Sequence, residues 1–331
     1  MVNENYNFNE ETSKCGYFTL EEYKEIKGLT LVHYNCGRLN DKNRLKFADI
    51  KKNIISEHLS IFCLSETWLT DDDDTGDFLI PGFSSFRQDR NFEICKSSGG
   101  GLLTYVKNNL SADDKCYSHL NINQFELECQ FISIKKKNCK EIIVVNCYRC
   151  PDNKTIESRQ TAIDKLLSNI KSITNYQHKS FIINGDLNFN TDTTNINENS
   201  NSTHTSDYIE KICLELGLVN LITENTCFRD DSSSTLDLIL TNLSNISKQG
   251  IIHYSHFDHC PVFVSKRREH DSIDNLNVFV RPISSLDSVK LRTNLLDTDW
   301  EIFKDNDINT YWNNLKKHLT DIANQFCIKK N

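Results

Sequence analysis

SFIINGDLNFN (180–190) sets an apolar, β-branched run against an acidic residue, Asp186, at the run's end. A run of that kind reads as a buried strand, and a polar residue just past it stands where loops gather at a sheet edge. The same arrangement recurs on both sides. Upstream, LSIFCLSE (59–66) ends on Glu66, and LTLVHYN (29–35) is another strand-like run. Downstream, STLDLILT (234–241) holds Asp237, and Asp258 with His259 lies between GIIHYS (250–255) and CPVFVS (260–265). Further strand-like runs are GGGLLTYV (99–106), QFELECQFISIK (124–135) and EIIVVNCY (141–148). Helical periodicity marks 42–58, 155–173 and 206–218. Strands alternating with helices predict an α/β layered domain with its site in the crevice beyond the strand ends.

The domain is expected over 29–268. Residues 1–28 are polar and Asn/Glu-rich and read as a loosely held leader, although GYFTLEEYKEI has helical character. FNTDTTNINENSNSTHTSD (189–207) is aperiodic and reads as a long surface loop. Beyond 269 two helices are expected, in 284–296 and 307–326. The second carries a seam of Ile308, Trp312, Leu315, Leu319, Ile322 and Phe326, spaced four and three alternately, which needs a surface to pack on.

Composition narrows the class. With 331 residues, 38% hydrophobic and 25% charged, the chain is built to fold around a core. No apolar run reaches the ~18 residues of a membrane span, and the start has neither a basic nor an apolar targeting segment. An intracellular protein of nucleus or cytoplasm, neither secreted nor membrane-bound, is expected. Its 13 cysteines then read as reduced thiols. Cys147 and Cys150 form a C-x-x-C without the second pair a structural zinc site needs. A net charge of -8 excludes gripping DNA by charge alone, leaving small basic clusters at KKKNCK (135–140) and SKRR (265–268), which read as solvated faces.

Carboxylates crowded at one sheet edge repel unless a cation or proton is held among them. Hard oxygen ligands suit Mg2+ or Mn2+. Such an ion polarises a phosphoryl oxygen while a carboxylate, here Asp186, takes a proton from water. Asn188, two residues on, shares a face with Asp186 if GDLN stays extended, and its amide then orients water or phosphate. His259, paired with Asp237, is a positively poised partner for a phosphate oxyanion. Two competing patterns are set aside. His253, His256 and His259 would share a helical face, but their surroundings read as strand, loop and strand. Asp71, Asp72, Asp73 and Asp74 lack the alternating spacing of a calcium loop and read as a turn.

Seven segments in this order resemble the endonuclease/exonuclease/phosphatase superfamily, and within it the apurinic-type endonuclease domain of LINE-like, non-LTR retrotransposons. They are YNCGRLN (34–40), LSETWL (64–69), SSGGGLLTYVKNNL (97–110), VNCYRCP (145–151), INGDLNFN (183–190), ENTCFRDDSSSTLDLILTN (224–242) and FDHCPVF (257–263). The resemblance implies a four-layered α/β sandwich of the deoxyribonuclease-I kind, followed here by a short helical connector. It also implies an enzyme that uses Mg2+ or Mn2+ to nick one strand of DNA, leaving a 3′ hydroxyl that a reverse transcriptase extends. By position it assigns metal binding to Glu66 and Asn35, with Asp258 close by. Phosphate contact falls to Tyr148 and, more weakly, Thr226; water activation to Asp186 and Asn188; and orientation to Asp237 and His259. Gly37 stands where repair-type relatives carry a metal-binding Asp, and Phe257 replaces the usual Ser before Asp-His. No reverse-transcriptase motif is present, which reads as a truncated copy or a fragment of a longer product. Rival readings are a phosphoesterase for another substrate, and a decayed or repurposed copy that keeps nucleic-acid binding.

Overall fold

Side chains alternate between the two faces of a strand, so runs apolar at every position, such as IFCL and IIVV, require cover on both faces. A computed structural model provides it. It describes residues 15–40, 45–91, 99–135, 140–151, 155–191, 205–229, 232–254, 258–267, 288–304 and 307–326. The chain divides into two compact units, Met1–Arg268 and Glu269–Asn331.

In chain order the strands of the first unit are β1 (Tyr17–Phe18), β2 (Leu29–Asn35), β3 (Leu59–Ser65), β4 (Phe83–Gln88), β5 (Leu102–Lys107), β6 (Ser111–Asp113), β7 (Ile122–Asn123) and β8 (Glu128–Lys135). There follow β9 (Ile142–Tyr148), β10 (Ser180–Asp186), β11 (Val219–Asn220), β12 (Cys227–Arg229), β13 (Ser232–Ser234), β14 (Asp237–Thr241), β15 (Ile246–Ile252) and β16 (Val262–Lys266). One sheet has the order β1-β15-β16-β2-β3-β5-β4, and the other β11-β14-β10-β9-β8-β6, with β7 paired to β8. β12 and β13 form a separate hairpin.

The inner faces of the sheets meet through Leu31, Ile61, Val106 and Val262 on one side and Ile132, Val144, Ile182 and Ile239 on the other. Helix α1 (Leu20–Lys24) and helix α2 (Leu45–Ile54) cover the outer face of the first sheet, with Tyr23, Phe47, Ile50 and Ile54 against Phe62, Tyr105 and Phe263. Helix α3 (Ile156–Lys171) and helix α4 (Thr205–Leu216) cover the second, where Ile163, Leu166, Leu167 and Ile170 pack on Phe131, Ile143 and Phe181. Each such side chain contributes about 1.5–3 kcal/mol of transfer free energy. Three apolar interfaces thus make the expected four-layered sandwich.

The expectation of a loose leader is corrected for residues 17–24. β1 pairs in parallel with β15, and Thr19 and Glu22 form a reciprocal capping box that starts α1. Tyr23 is buried and its hydroxyl donates to Ile54 O at 3.0 Å, while the Phe18 ring meets Phe263 edge-on at 5.0 Å. Apolar Phe18 and Tyr23, spaced to reach one face, outweigh the polar composition around them. Residues 1–14, the loop segment 192–204, the basic 136–139, Arg268 and both His256 and Phe257 lie outside the described residues.

The second unit holds α5 (Ser288–Asp297), a 3-10 turn at Trp300–Phe303, and α6 (Ile308–Phe326). Along the seam of α6, Ile322 is buried, whereas Trp312 and Leu319 are exposed. The side chains of Ile308 and Phe326 lie outside the described set. Phe303, also buried, sets its ring 4.7 Å from that of His318 at a tilt of 41°. No helix among the described residues is long and apolar enough to cross a membrane.

Candidate active site and metal centre

β2 and β3 run parallel, as do β9 and β10, so their carboxyl ends deliver Asn35, Glu66, Tyr148 and Asp186 to one edge of the sandwich. Antiparallel β14 begins at that edge, which puts Asp237 in register with Asp186, itself in register with Tyr148. Approaching this edge, the core between the sheets turns polar: Thr104 Oγ1 donates to Gln130 Oε1 at 2.7 Å, and Asn146 Nδ2 donates to Leu64 O at 3.0 Å. Gly185, at φ +153, lies so close under Cys147 O that a side chain would collide with that carbonyl. The glycine of GDLN therefore lets β10 and β9 approach at the position before the key acid.

Asp186 is 1% exposed and fully engaged. Its Oδ2 accepts from Asn35 Nδ2 at 2.8 Å across the two sheets, and its Oδ1 accepts from Asn188 N at 2.9 Å. Asn35 Nδ2 also donates to Glu66 Oε1 at 3.1 Å, and Glu66 Oε2 accepts from Trp68 Nε1 at 3.2 Å. His259 Nδ1 sits 2.7 Å from Asp237 Oδ2, a charge-assisted hydrogen bond, while its Nε2 faces Asp186 Oδ2 at 3.8 Å. The longer contact is Coulombic only, worth about 4 kcal/mol at an effective dielectric of ~20. Burial works against the imidazolium, but Asp237 and then Asp186 outweigh it and hold His259 protonated far above its ordinary range. Burial first, then Asp237 and Glu66, push the Asp186 carboxyl up to about 7, against the pull of His259. Burial with Glu66 and Asp186 alongside raises Tyr148, which stays a neutral phenol.

Three buried or half-buried carboxylates facing one imidazolium leave negative charge in excess, the setting that favours a divalent cation. Asp186, Asp237 and His259 form one group whose ligand atoms lie within 4.8 Å of one another; Cys227, Asp258 and His259 form a second. Glu66 and Asp186 add carboxylate oxygens that Asn35 Nδ2 bridges, while Asn35 Oδ1 accepts from Gly37 N at 3.1 Å.

Residues 142–263, from β9 into β16, match the family described as Endonuclease-reverse transcriptase. The fold is shared with the AP endonuclease LMAP of Leishmania major at 16% identity and a TM-score of 0.58, covering 80% of this chain and 97% of that one. That match and that fold are what the chain shares with known proteins. The fold is also similar to that of a 3′ phosphatase from Neisseria solved with a product DNA hairpin, at 13% identity, a TM-score of 0.53 and coverage of 72% and 100%. The Xenopus laevis APE2 catalytic domain follows at 16% identity, a TM-score of 0.50 and coverage of 73% and 94%. No curated protein sequence matches the chain.

Two sequence expectations change in the structure. GDLN does not stay extended: β10 ends at Asp186 and Asn188 adopts a left-handed conformation at φ 50. Asn188 serves Asp186 through its backbone N–H, and its Nδ2 donates to Arg149 O at 2.7 Å. Thr226 is fully buried, donates to Asp237 Oδ2 at 2.8 Å and accepts from Asp237 N at 3.0 Å. Its hydroxyl is committed to Asp237 and is not presented to a phosphate. Asp258 joins the cluster through His259 Nε2 at 4.0 Å, with its Oδ2 accepting from Arg229 Nε at 2.8 Å. Arg229 and His259 together outweigh partial burial and hold the Asp258 carboxyl below its ordinary range.

Sequence reasoning missed His33 on β2, fully buried with Nε2 3.2 Å from Ser65 Oγ and Nδ1 3.7 Å from Asp237 Oδ1. The signal was a histidine at a core position of an otherwise apolar strand. It also missed what the motifs SETWL and SGGG do together. Trp68 N donates to Gly100 O at 2.9 Å, and Glu66 and Trp68 both take positive φ, 54 and 57. Below them lies a buried Arg90–Glu128 ion pair, with Gly101 N donating to Glu128 Oε2 at 2.7 Å. Arg90 in turn lies over the Tyr148 ring at 5.5 Å. A Cβ on Gly100 would run into both partners of the pair.

Proposed function

We propose that this chain is a divalent-metal-dependent endonuclease that nicks one strand of DNA and leaves a 3′ hydroxyl for a reverse transcriptase to extend. The observation that carries the reading is the buried Asp186–His259–Asp237 constellation joined through Asn35 to Glu66. Asp186 acts as the base toward an attacking water, poised by a pKa near neutrality. Asn35 and the Asn188 backbone N–H hold its two oxygens in place. His259, kept protonated, presents Nε2–H to the phosphate oxyanion, and Asp237 with Thr226 behind it fixes the ring. The neutral Tyr148 hydroxyl is a further donor to phosphate.

Glu66 and Asn35 would hold Mg2+ or Mn2+, with Asp258 at the margin, leaving Asp186 to take the proton. The ion, when bound, polarises the phosphoryl oxygen and stabilises the leaving alkoxide.

A polymeric anion is favoured by the rim. Exposed Arg229 is paired to Asp258. Exposed Arg38 donates its backbone N–H to Glu66 O at 2.7 Å and lays its guanidinium 5.7 Å from the Trp68 ring. Phe228, beside Arg229, is 43% exposed, an apolar surface suited to a sugar or base. The matched family, by its description, joins an endonuclease to a reverse transcriptase, which favours the retrotransposon role. The test is nicking of supercoiled plasmid in Mg2+ by wild type, Asp186→Ala and His259→Ala. Nicked circles with ligatable 3′ hydroxyl ends are expected from wild type alone. A folded wild type that leaves plasmid intact would sink the nuclease reading, and activity surviving both substitutions would sink the assignment of the site.

A further inference from the structure

Cys227 and His259 face each other across an isolated antiparallel bridge. Phe228 N donating to Asp258 O at 2.7 Å and Cys260 N donating to Thr226 O at 2.8 Å fix that register. Directly opposed residues on neighbouring strands share a face, with Cβ atoms about 4.5–5.5 Å apart. Asp258 closes the third side: its Oδ2 accepts from Cys227 Sγ at 3.5 Å and its Oδ1 lies 4.0 Å from His259 Nε2. Sulfur, carboxylate oxygen and imidazole nitrogen all fall within 4.8 Å of one another. Cys227 is 1% and His259 6% exposed, whereas the Asp258 side chain is 34% exposed and leaves a way in from solvent.

We propose that Cys227, Asp258 and His259 bind a thiophilic divalent ion of the zinc class, and that its occupation silences His259. The donors suit such an ion: zinc takes sulfur at about 2.3 Å and nitrogen or oxygen at about 2.0–2.2 Å, so these three atoms need to close by only about 1 Å. Mg2+, which prefers oxygen donors, gains little from the thiol. Binding forms S–Zn, N–Zn and O–Zn bonds, releases the thiol and Nε2 protons to solvent, and changes no oxidation state. The ion's charge replaces the departing proton beside Asp258 and Asp186. His259 Nδ1 keeps its 2.7 Å bond to Asp237, the carboxylate–histidine support that zinc-ligating imidazoles use. Arg229 must release Asp258, but its side chain is 61% exposed, and an ion pair so open to solvent is weak and readily broken. With Nε2 occupied, no proton remains to meet a phosphate. The inhibitory consequence rests on the nuclease reading; the binding does not.

The experiment compares the full chain with Cys227→Ser, which keeps the size of the side chain. Co2+ is used as a spectroscopic probe and Zn2+ alone in calorimetry, both without substrate. Wild type is expected to show a thiolate-to-cobalt charge-transfer band and a Zn2+ site that Cys227→Ser weakens by at least the roughly 10–100-fold that loss of an outer partner costs. An identical band and affinity in the folded variant would overturn the site, since the other cysteines would then be its source. In Mg2+-supported nicking, added Zn2+ is expected to stop wild type and to spare Cys227→Ser; equal inhibition of both overturns the silencing. If the wild type nicks nothing, the band still decides the site while the nuclease reading falls by itself.

Discussion

His33 Nδ1 stands 3.7 Å from Asp237 Oδ1, the carboxylate oxygen that His259 leaves alone. Neither atom has a hydrogen-bond partner among the described residues. Burial, partly offset by Asp237, lowers His33 from 6.5 to about 4, so the folded protein refuses a proton that the unfolded chain accepts. The stability this confers is present above the ordinary histidine range and is lost as pH falls toward 4. Urea unfolding in chelator should show wild type losing up to about 3 kcal/mol across that window beyond what His33→Gln loses. Parallel pH profiles would refute the assignment.

Asp186 behaves oppositely. Its folded carboxyl, raised to about 7, holds a proton the unfolded chain has released, so its favourable contribution belongs to acid conditions and fades as pH rises through 7. Without metal, Asp186→Asn should therefore be the more stable protein above that pH, by a few kcal/mol at most. Nicking should fall by roughly 10²–10⁴-fold in the same variant. Added Mg2+ should raise the melting temperature of wild type more than that of Asp186→Asn.

Asp237→Asn leaves His259 without the anion that orients it and holds its charge. Nicking is expected to drop by about 10²–10⁴-fold with little change in substrate affinity, read from single-turnover kinetics. Thr226→Val, which removes the hydroxyl behind Asp237, should give a smaller loss of the same kind. Equal substrate affinity losses in both would point to a binding role instead.

The Arg90–Glu128 pair supports the site from below. Glu128→Ala removes the carboxylate that faces a buried guanidinium and deprives Gly101 N of its acceptor, so urea unfolding should show a loss of about 3–5 kcal/mol. Gly100→Ala should destabilise as well, because its φ of 73 and the crowding of the pair both resist a side chain. A neutral result for Gly100→Ala would mean the SGGG segment relaxes freely.

The layered fold was legible because apolar runs such as EIIVVNCY and SFIING admit few alternatives to doubly covered strands. Asp186, Glu66, Asp237 and His259 were legible because each interrupts or ends such a run. What resisted reading was commitment at the atomic level. Thr226 looked available for a phosphate, yet burial hands its hydroxyl to Asp237. Asn188 looked like a face-sharing neighbour, but spacing holds only while the backbone stays extended, and φ 50 ends that. His33 was hidden for the converse reason: its pairing with Asp237 crosses from one sheet to the other, which no local pattern records.

The short β1 segment at the margin of the first sheet has a practical side. Gly16 O accepts from Ile251 N at 2.9 Å and Phe18 O accepts from His253 N at 2.7 Å, so two residues of strand shield the flank of β15. A protein trimmed to begin at Leu29 would bare those amides beside the apolar Ile251 and Ile252, offering a template to which a neighbouring molecule can add its own strand. Insoluble or self-associating material from such a shortened chain would trace to this uncovered flank and not to any fault in the active site.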